Sequence, residues 1–203
     1  MIIGLTGSSG SGKSTVAGML EALGFLIIDC DALSKSIDSV DKYKALVEEN
    51  FGREVFDGEN ISRKKLGRLV FSDKEKLGIL TKISHPIIIE LVISKIKENL
   101  GKDIIIDAPL LFESGLDSMC DTTIGIIADE SLRSKRVMIR DSISEDYALA
   151  RISSQQSSEF YRKKCAFIIE NNGDIDSLEN TLRNIIENIK LGEFACAKTS
   201  FTD

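Results

Sequence analysis

The stretch that most constrains this chain comes first. Met1-Ile2-Ile3-Gly4-Leu5-Thr6 is an apolar run of strand length, and residues 16–23 have the spacing of an amphipathic helix. Between them, residues 7–14 read Gly-Ser-Ser-Gly-Ser-Gly-Lys-Ser, matching G-x-x-x-x-G-K-[ST] at every fixed position. A polyphosphate wrapped by backbone N–H groups needs residues that let the main chain come close, and glycine and serine do. The helix that follows aims its positive end at the same place. Gly10, Ser11, Gly12, Lys13, Ser14 and Thr15 are therefore the expected nucleotide-phosphate site. Lys13 serves as a point charge on the β/γ oxygens and the Ser14 hydroxyl as a ligand for Mg²⁺.

The rest of the chain alternates aliphatic strands with helical segments. Strands are expected at 25–28, 103–107, 122–127 and 166–169, with a final helix from about 175. Residues 39–51 are expected to be helical, and Asp57-Gly58 is expected to turn. From 62 to about 100 the spacing is helical, with a break expected at His85-Pro86, because proline disfavours helix at the residue before it. Continuous aliphatic strands joined by helices imply an α/β fold, a five-stranded parallel sheet with helices on both faces. The 62–98 stretch is a helical excursion from the sheet, and residues 131–141 and 144–164 are helical. Ligands of such sheets sit at the carboxyl ends of the strands. The loop, Asp29, Asp31, Asp107 and Asn171 all fall there.

Charge narrows the partners. The chain carries a net −6, which argues against nucleic acid. Residues 131–164 hold eight Lys/Arg against four acids, and residues 62–76 hold six against two. Two basic zones in an acidic chain suit small anionic ligands. The four cysteines show no metal-ligand spacing, no leader is seen, and no continuous apolar run reaches the length of a membrane span. A cytoplasmic protein with reduced thiols, not bound to membrane, is expected.

Neither an N-K-x-D guanine reader nor the Asp-Glu pair of motor ATPases is present. An acid pair after the second strand and a late arginine-rich segment suit a kinase, which needs a base for the acceptor hydroxyl and cations for the transferring phosphoryl. From position alone Asp31 serves equally as a helix cap. Arg133 and Arg136 read as a solvated helix face, and His85 as a structural residue.

Five motifs recur in the order of a known family: residues 4–15; Ile28-Asp29-Cys30-Asp31; Arg68-Leu69-Val70-Phe71 with His85-Pro86; Asp107-Ala108-Pro109-Leu110-Leu111-Phe112-Glu113; and Arg140-Asp141 with Ala150-Arg151-Ile152. Over residues 1–190 the chain resembles the dephospho-coenzyme A kinases, P-loop kinases with a helical acceptor lobe and a helical lid. The resemblance implies one kinase domain over 1–190, with the acceptor excursion at about 62–98, the lid at about 131–155 and a tail from 191. It implies transfer of the γ-phosphoryl of ATP, with Mg²⁺, to the ribose 3′-hydroxyl of dephospho-coenzyme A. Asp31 is then the base near the acceptor and the metal, Lys13 and Arg140 act on the phosphates, and Asn171 lies in a loop near adenine. Arg68, His85, Asp107 and Leu111 belong to motifs of the acceptor side. A kinase of another nucleoside or nucleotide and an ATP sensor without turnover are the alternatives. Lys13, Ser14, Asp31 and Arg140 together argue against the sensor.

Overall fold

The computed structural model describes residues 1–192, and the chain divides into two units, residues 29–100 and the remainder. From 193 on, the expected tail lies outside the described residues. In chain order, β1 (Ile2–Gly7), α1 (Lys13–Ala22) and β2 (Leu26–Asp29) come first. The 29–100 unit follows with α2 (Cys30–Ser36), α3 (Asp41–Phe51), β3 (Phe56–Asp57), β4 (Asn60–Ile61), α4 (Arg63–Val70) and α5 (Lys74–Glu98). The first unit resumes with β5 (Ile104–Asp107), β6 (Thr122–Ile127) and α6 (Glu130–Asp141). It ends with α7 (Glu145–Ser153), α8 (Ser158–Lys164), β7 (Phe167–Glu170) and α9 (Ile175–Lys190).

The sheet runs β2-β5-β1-β6-β7, with β1 parallel to both of its neighbours and β6 parallel to β7. Side chains alternate between faces. Ile3, Leu5, Ile105, Ile124, Ile126 and Ile169 share one core with Val16 and Leu20 of α1 and Leu178, Leu182 and Ile186 of α9. The opposite face is flattened by glycine so that a second layer can sit close. A Cβ on Gly4 would lie 2.7 Å from Leu111 Cδ2, and one on Gly125 would lie 2.7 Å from Cys165 Sγ. Phe112, Phe160 and Tyr161 pack there with Ile127 and Ile168. The five strands and the helices on both faces match the expectation, and the central position of β1 sets the phosphate loop at the middle of the carboxyl edge.

Residues 29–100 form a helical lobe with a core of its own, built from Ile37, Tyr43, Val47, Phe51, Phe56, Leu66, Val70 and Ile87. One local expectation is corrected. The helix does not break at His85-Pro86: α5 continues through Pro86. The missing N–H of an interior proline costs about 3 kcal/mol. Ile79, Leu80, Ile83, Ile87, Ile88 and Leu91, all packed on the lobe's core, offset it. The break falls instead before Lys74, where Asp73 accepts the N–H groups of Glu75 and Lys76 and starts α5. By length and composition α5 would also serve to cross a membrane, but its apolar residues pack on the lobe. Asp57-Gly58 does turn, between the short strands β3 and β4, which pair antiparallel. The stretch expected to be helical over 144–164 holds two helices, parted where Ser157 caps α8 by accepting the N–H of Phe160.

Candidate functional site

The phosphate loop starts from Gly7, the last residue of β1, and ends on Gly12, the N-cap of α1. Gly10 and Gly12 have φ of 78° and 98°, a left-handed region that side chains strain to enter. Space excludes side chains there too. A Cβ on Gly10 would lie 2.6 Å from the carbonyl oxygen of Arg133, and one on Gly12 would lie 2.1 Å from Asn171 Nδ2. No side chain caps α1 and no acid sits in its first turn. Its leading N–H groups and its positive end are thus left to an anion. Ser14 and Thr15 are exposed on that turn.

Long side chains from distant elements hold the loop's carbonyls. Arg133 Nε donates to the Ser9 carbonyl at 3.1 Å. Arg136 Nη1 donates to the carbonyls of Gly10 at 3.3 Å and Asn171 at 3.1 Å. Asn171 Nδ2 donates to the Ser11 carbonyl at 2.8 Å. Arg133 is 4 % exposed, and burial lowers its pKa from the ordinary guanidinium value. Its Nη2 and Ser11 Oγ are buried without a hydrogen-bond partner, polar atoms that await water or ligand. The solvated-face expectation for Arg133 and Arg136 is therefore overturned: both reach the loop from more than a hundred residues away, a distance that local spacing does not report.

Lys13 Nζ is ion-paired with Asp107 Oδ1 at the end of β5, and both side chains are largely buried. Asp107, expected on the acceptor side, thus has its carboxylate on the phosphate-loop lysine. Leu111, of the same motif, lies in the interior. It is wholly buried, with its methyls over Gly4, and a side chain without open surface packs rather than contacts a ligand. The Asn171 side chain supports the loop from beneath. Beside it a cavity of about 230 Å³ opens between Gly12, Thr15, Arg136, Asn171, Asp174 and Ile175. A second cavity, about 210 Å³, lies against Gly7, Ser8, Pro109, Leu110, Gln155 and Tyr161. Burial pushes the Tyr161 hydroxyl up to about 12.

Arg140 ends α6 and makes two 2.8 Å bonds to Asp141, which also accepts from Arg151 at 2.7 Å. The two guanidiniums hold the Asp141 carboxyl below the usual carboxylate range. The remaining motif residues belong to the 29–100 unit. Asp29 caps α2, its carboxylate accepting from the N–H groups of Asp31 at 2.8 Å and Ala32 at 3.0 Å. The cap reading thus passes from Asp31 to Asp29 and leaves the exposed Asp31 carboxylate without that task. Arg68 is exposed in the last turn of α4, and His85 is half-buried on α5. Part of the 62–76 basic zone is structural: Arg63 pairs with Asp38, and Lys65 with Asp57.

A family model described as dephospho-CoA kinase matches residues 1–177. A dephospho-CoA kinase of Fusobacterium nucleatum is 40% identical over 190 residues, covering 93% of this chain and 98% of its own. The chain belongs to the dephospho-coenzyme A kinase family. Members of this family carry out the final step of coenzyme A biosynthesis, the phosphorylation of dephospho-coenzyme A by ATP. Among solved structures, a Thermus thermophilus protein superimposes with a TM-score of 0.81 at 33% identity, covering 93% of this chain and 97% of its own. The dephospho-CoA kinase from Campylobacter jejuni does so with a TM-score of 0.69 at 29% identity, covering 95% and 98%.

Proposed function

We propose that this dephospho-coenzyme A kinase binds ATP on the first unit and uses Asp31 of the second as the base for the ribose 3′-hydroxyl. The observation that carries the ATP side is the loop itself. Its carbonyls at Ser9, Gly10 and Ser11 are held by Arg133, Arg136 and Asn171, and the uncapped start of α1 leaves its leading N–H groups to phosphate. Lys13 then moves from Asp107 to the phosphates, where a cation offsets the charge of the transferring group. The cavity beside Asn171 is a place for adenine. Asp31 supports the base role by its exposure and by the cap having been taken by Asp29. Arg68 and His85, in the lobe's motifs, would contact the acceptor, and Arg140 would close on the phosphates once released from Asp141.

The donors present fit Mg²⁺. Among the described residues no cluster of three or more His, Cys, Asp or Glu could hold a metal. Kinase Mg²⁺ needs only one or two protein oxygens, with phosphate and water completing its shell. The exposed Ser14 hydroxyl of the first unit is an oxygen of that kind, and so, on the second unit, is the exposed Asp31 carboxylate. Bound there, the ion would neutralise charge on the β- and γ-oxygens. The same reading takes the protein to be cytoplasmic, in keeping with the unbridged thiols of Cys120 and Cys165.

The test is a mass-spectrometric turnover assay with Mg²⁺-ATP and dephospho-coenzyme A, with adenosine and AMP as parallel acceptors. Coenzyme A formed from dephospho-coenzyme A alone is expected. Phosphorylated adenosine or AMP in its place would keep the loop and overturn the acceptor.

A further inference from the structure

Ser9, third residue of the phosphate loop, is held at all of its polar atoms. Its N–H donates to Gln155 Oε1 at 2.8 Å, and its hydroxyl accepts from Gln155 Nε2 at 2.9 Å. Its carbonyl is the one held by Arg133 Nε. A primary amide is suited to this grip, because one planar group presents an acceptor and a donor side by side. Gln155 follows α7, in the connection to α8, and its own N–H donates to the Ile152 carbonyl at 3.1 Å. Its side chain is exposed, so packing does not fix it; the two bonds to Ser9 do. An exposed glutamine gives up rotamer freedom to hold one geometry, and a pair of bonds made by one amide offsets that loss better than either alone.

The position of the grip gives it a consequence. Gln155 and Ser8 both line the cavity of about 210 Å³ that runs along the first half of the loop. The Ser9 N–H goes to Gln155 and not to the loop itself, whose turn bond runs from the Ser11 N–H to the Ser8 carbonyl. Without Gln155, the Ser8-Ser9 peptide would keep the Ser11 bond to its carbonyl but lose the partner of its N–H, and of the Ser9 polar atoms only the carbonyl, on Arg133, would still be held, so this side of the loop would be freer to move. A loop that samples several shapes binds its anion more weakly, by the fraction of time spent in the competent one. We propose that Gln155 is a positioning residue for ATP. Through two bonds to Ser9 it sets the phosphate loop in its nucleotide-binding shape, and so makes ATP affinity depend on the docking of the α7–α8 connection. This rests on the assignment of the loop to the ATP phosphates.

The two bonds are nested, which makes the test sharp. Gln155→Ala removes both, Ser9→Ala removes only the hydroxyl bond, and the double variant removes nothing beyond Gln155→Ala. ADP affinity is measured by calorimetry on the full chain, with steady-state kinetics and a thermal melt for each variant. Gln155→Ala is expected to weaken ADP and raise KM for ATP about three- to ten-fold, the scale of one or two hydrogen bonds. Ser9→Ala should do less, and the double variant should equal Gln155→Ala. The kcat should stay within about two-fold, and KM for dephospho-coenzyme A should not move, a split that a loss of fold would not give. Unchanged ADP affinity in Gln155→Ala, or effects that multiply in the double variant, would overturn the proposal alone. A wild-type chain that binds no ADP would overturn it together with the assignment of the loop.

Discussion

Around the phosphate loop, side chains from α6, the α7–α8 connection and the turn after β7 hold Ser9, Gly10 and Ser11, and Lys13 is paired with Asp107. In the 29–100 lobe the residues that the motifs mark have fewer ties. Asp31 and Arg68 are exposed, and the polar bonds beside Asp31 are those of the Asp29 cap. The first region shows its ligand class in its geometry, because wrapping a phosphate demands a fixed backbone. The second does not, because a base and an acceptor cradle need side chains near water until the substrate arrives. Catalytic hydrogen bonds are often completed only in the bound complex.

Four substitutions or conditions sharpen this contrast. The largest effect is expected for Asp31→Asn, which should lower kcat by about 10² to 10⁴, the range of a general base. ADP affinity and the melting temperature should stay near wild type, since the carboxylate does not cap α2. Turnover within a few-fold of wild type, measured by coenzyme A formation, would return Asp31 to the lobe's surface. Next is Leu111→Ala, expected to cost about 2 to 5 kcal/mol in a denaturant melt through the cavity left over Gly4. The folded fraction should keep its KM for dephospho-coenzyme A; a selective rise in that KM would restore the acceptor role. Asp29→Ala should cost about 1 kcal/mol, the loss of an N-cap, and Asp29→Asn should restore it.

The smallest effect is one of pH. Burial raises the thiols of Cys120 and Cys165 from 9.0 to about 12, and the hydroxyls of Tyr43 and Tyr161 from 10.0 to about 12. The folded chain keeps these protons to a higher pH than the unfolded chain does. Their contribution to stability is therefore complete below about pH 9 and is lost as the pH rises toward 12. A melting temperature flat to about pH 9 and falling above it is expected. Stability rising across that window would contradict the burial of these groups.

Much of the sheet unit was legible because its signals are local. The strands are aliphatic runs, the loop is a contiguous motif, and α9 shows its apolar stripe at Leu178, Leu182, Ile185, Ile186 and Ile189. Helix boundaries were legible where a cap stood out, and Asp73 and Ser157 were such signals, overlooked beside the more conspicuous Pro86. What was not legible is what folding brings from afar. Arg133 and Arg136 look like any charged pair on a helix until α6 is set beside the loop. Gln155 carries no pattern, and the hairpin at Phe56 and Ile61 is too short for alternation to register. The Asp107–Lys13 pair joins the end of β5 to the start of α1, 94 residues apart in sequence.

The measurement that tests the division between the two regions most directly is amide hydrogen exchange of the full chain, alone, with ADP and with dephospho-coenzyme A. ADP should protect residues 7–16 and the start of α9, while dephospho-coenzyme A should protect residues within 62–98 and the first turn of α2. Protection of the phosphate loop by dephospho-coenzyme A alone, with none in the 29–100 lobe, would contradict the account.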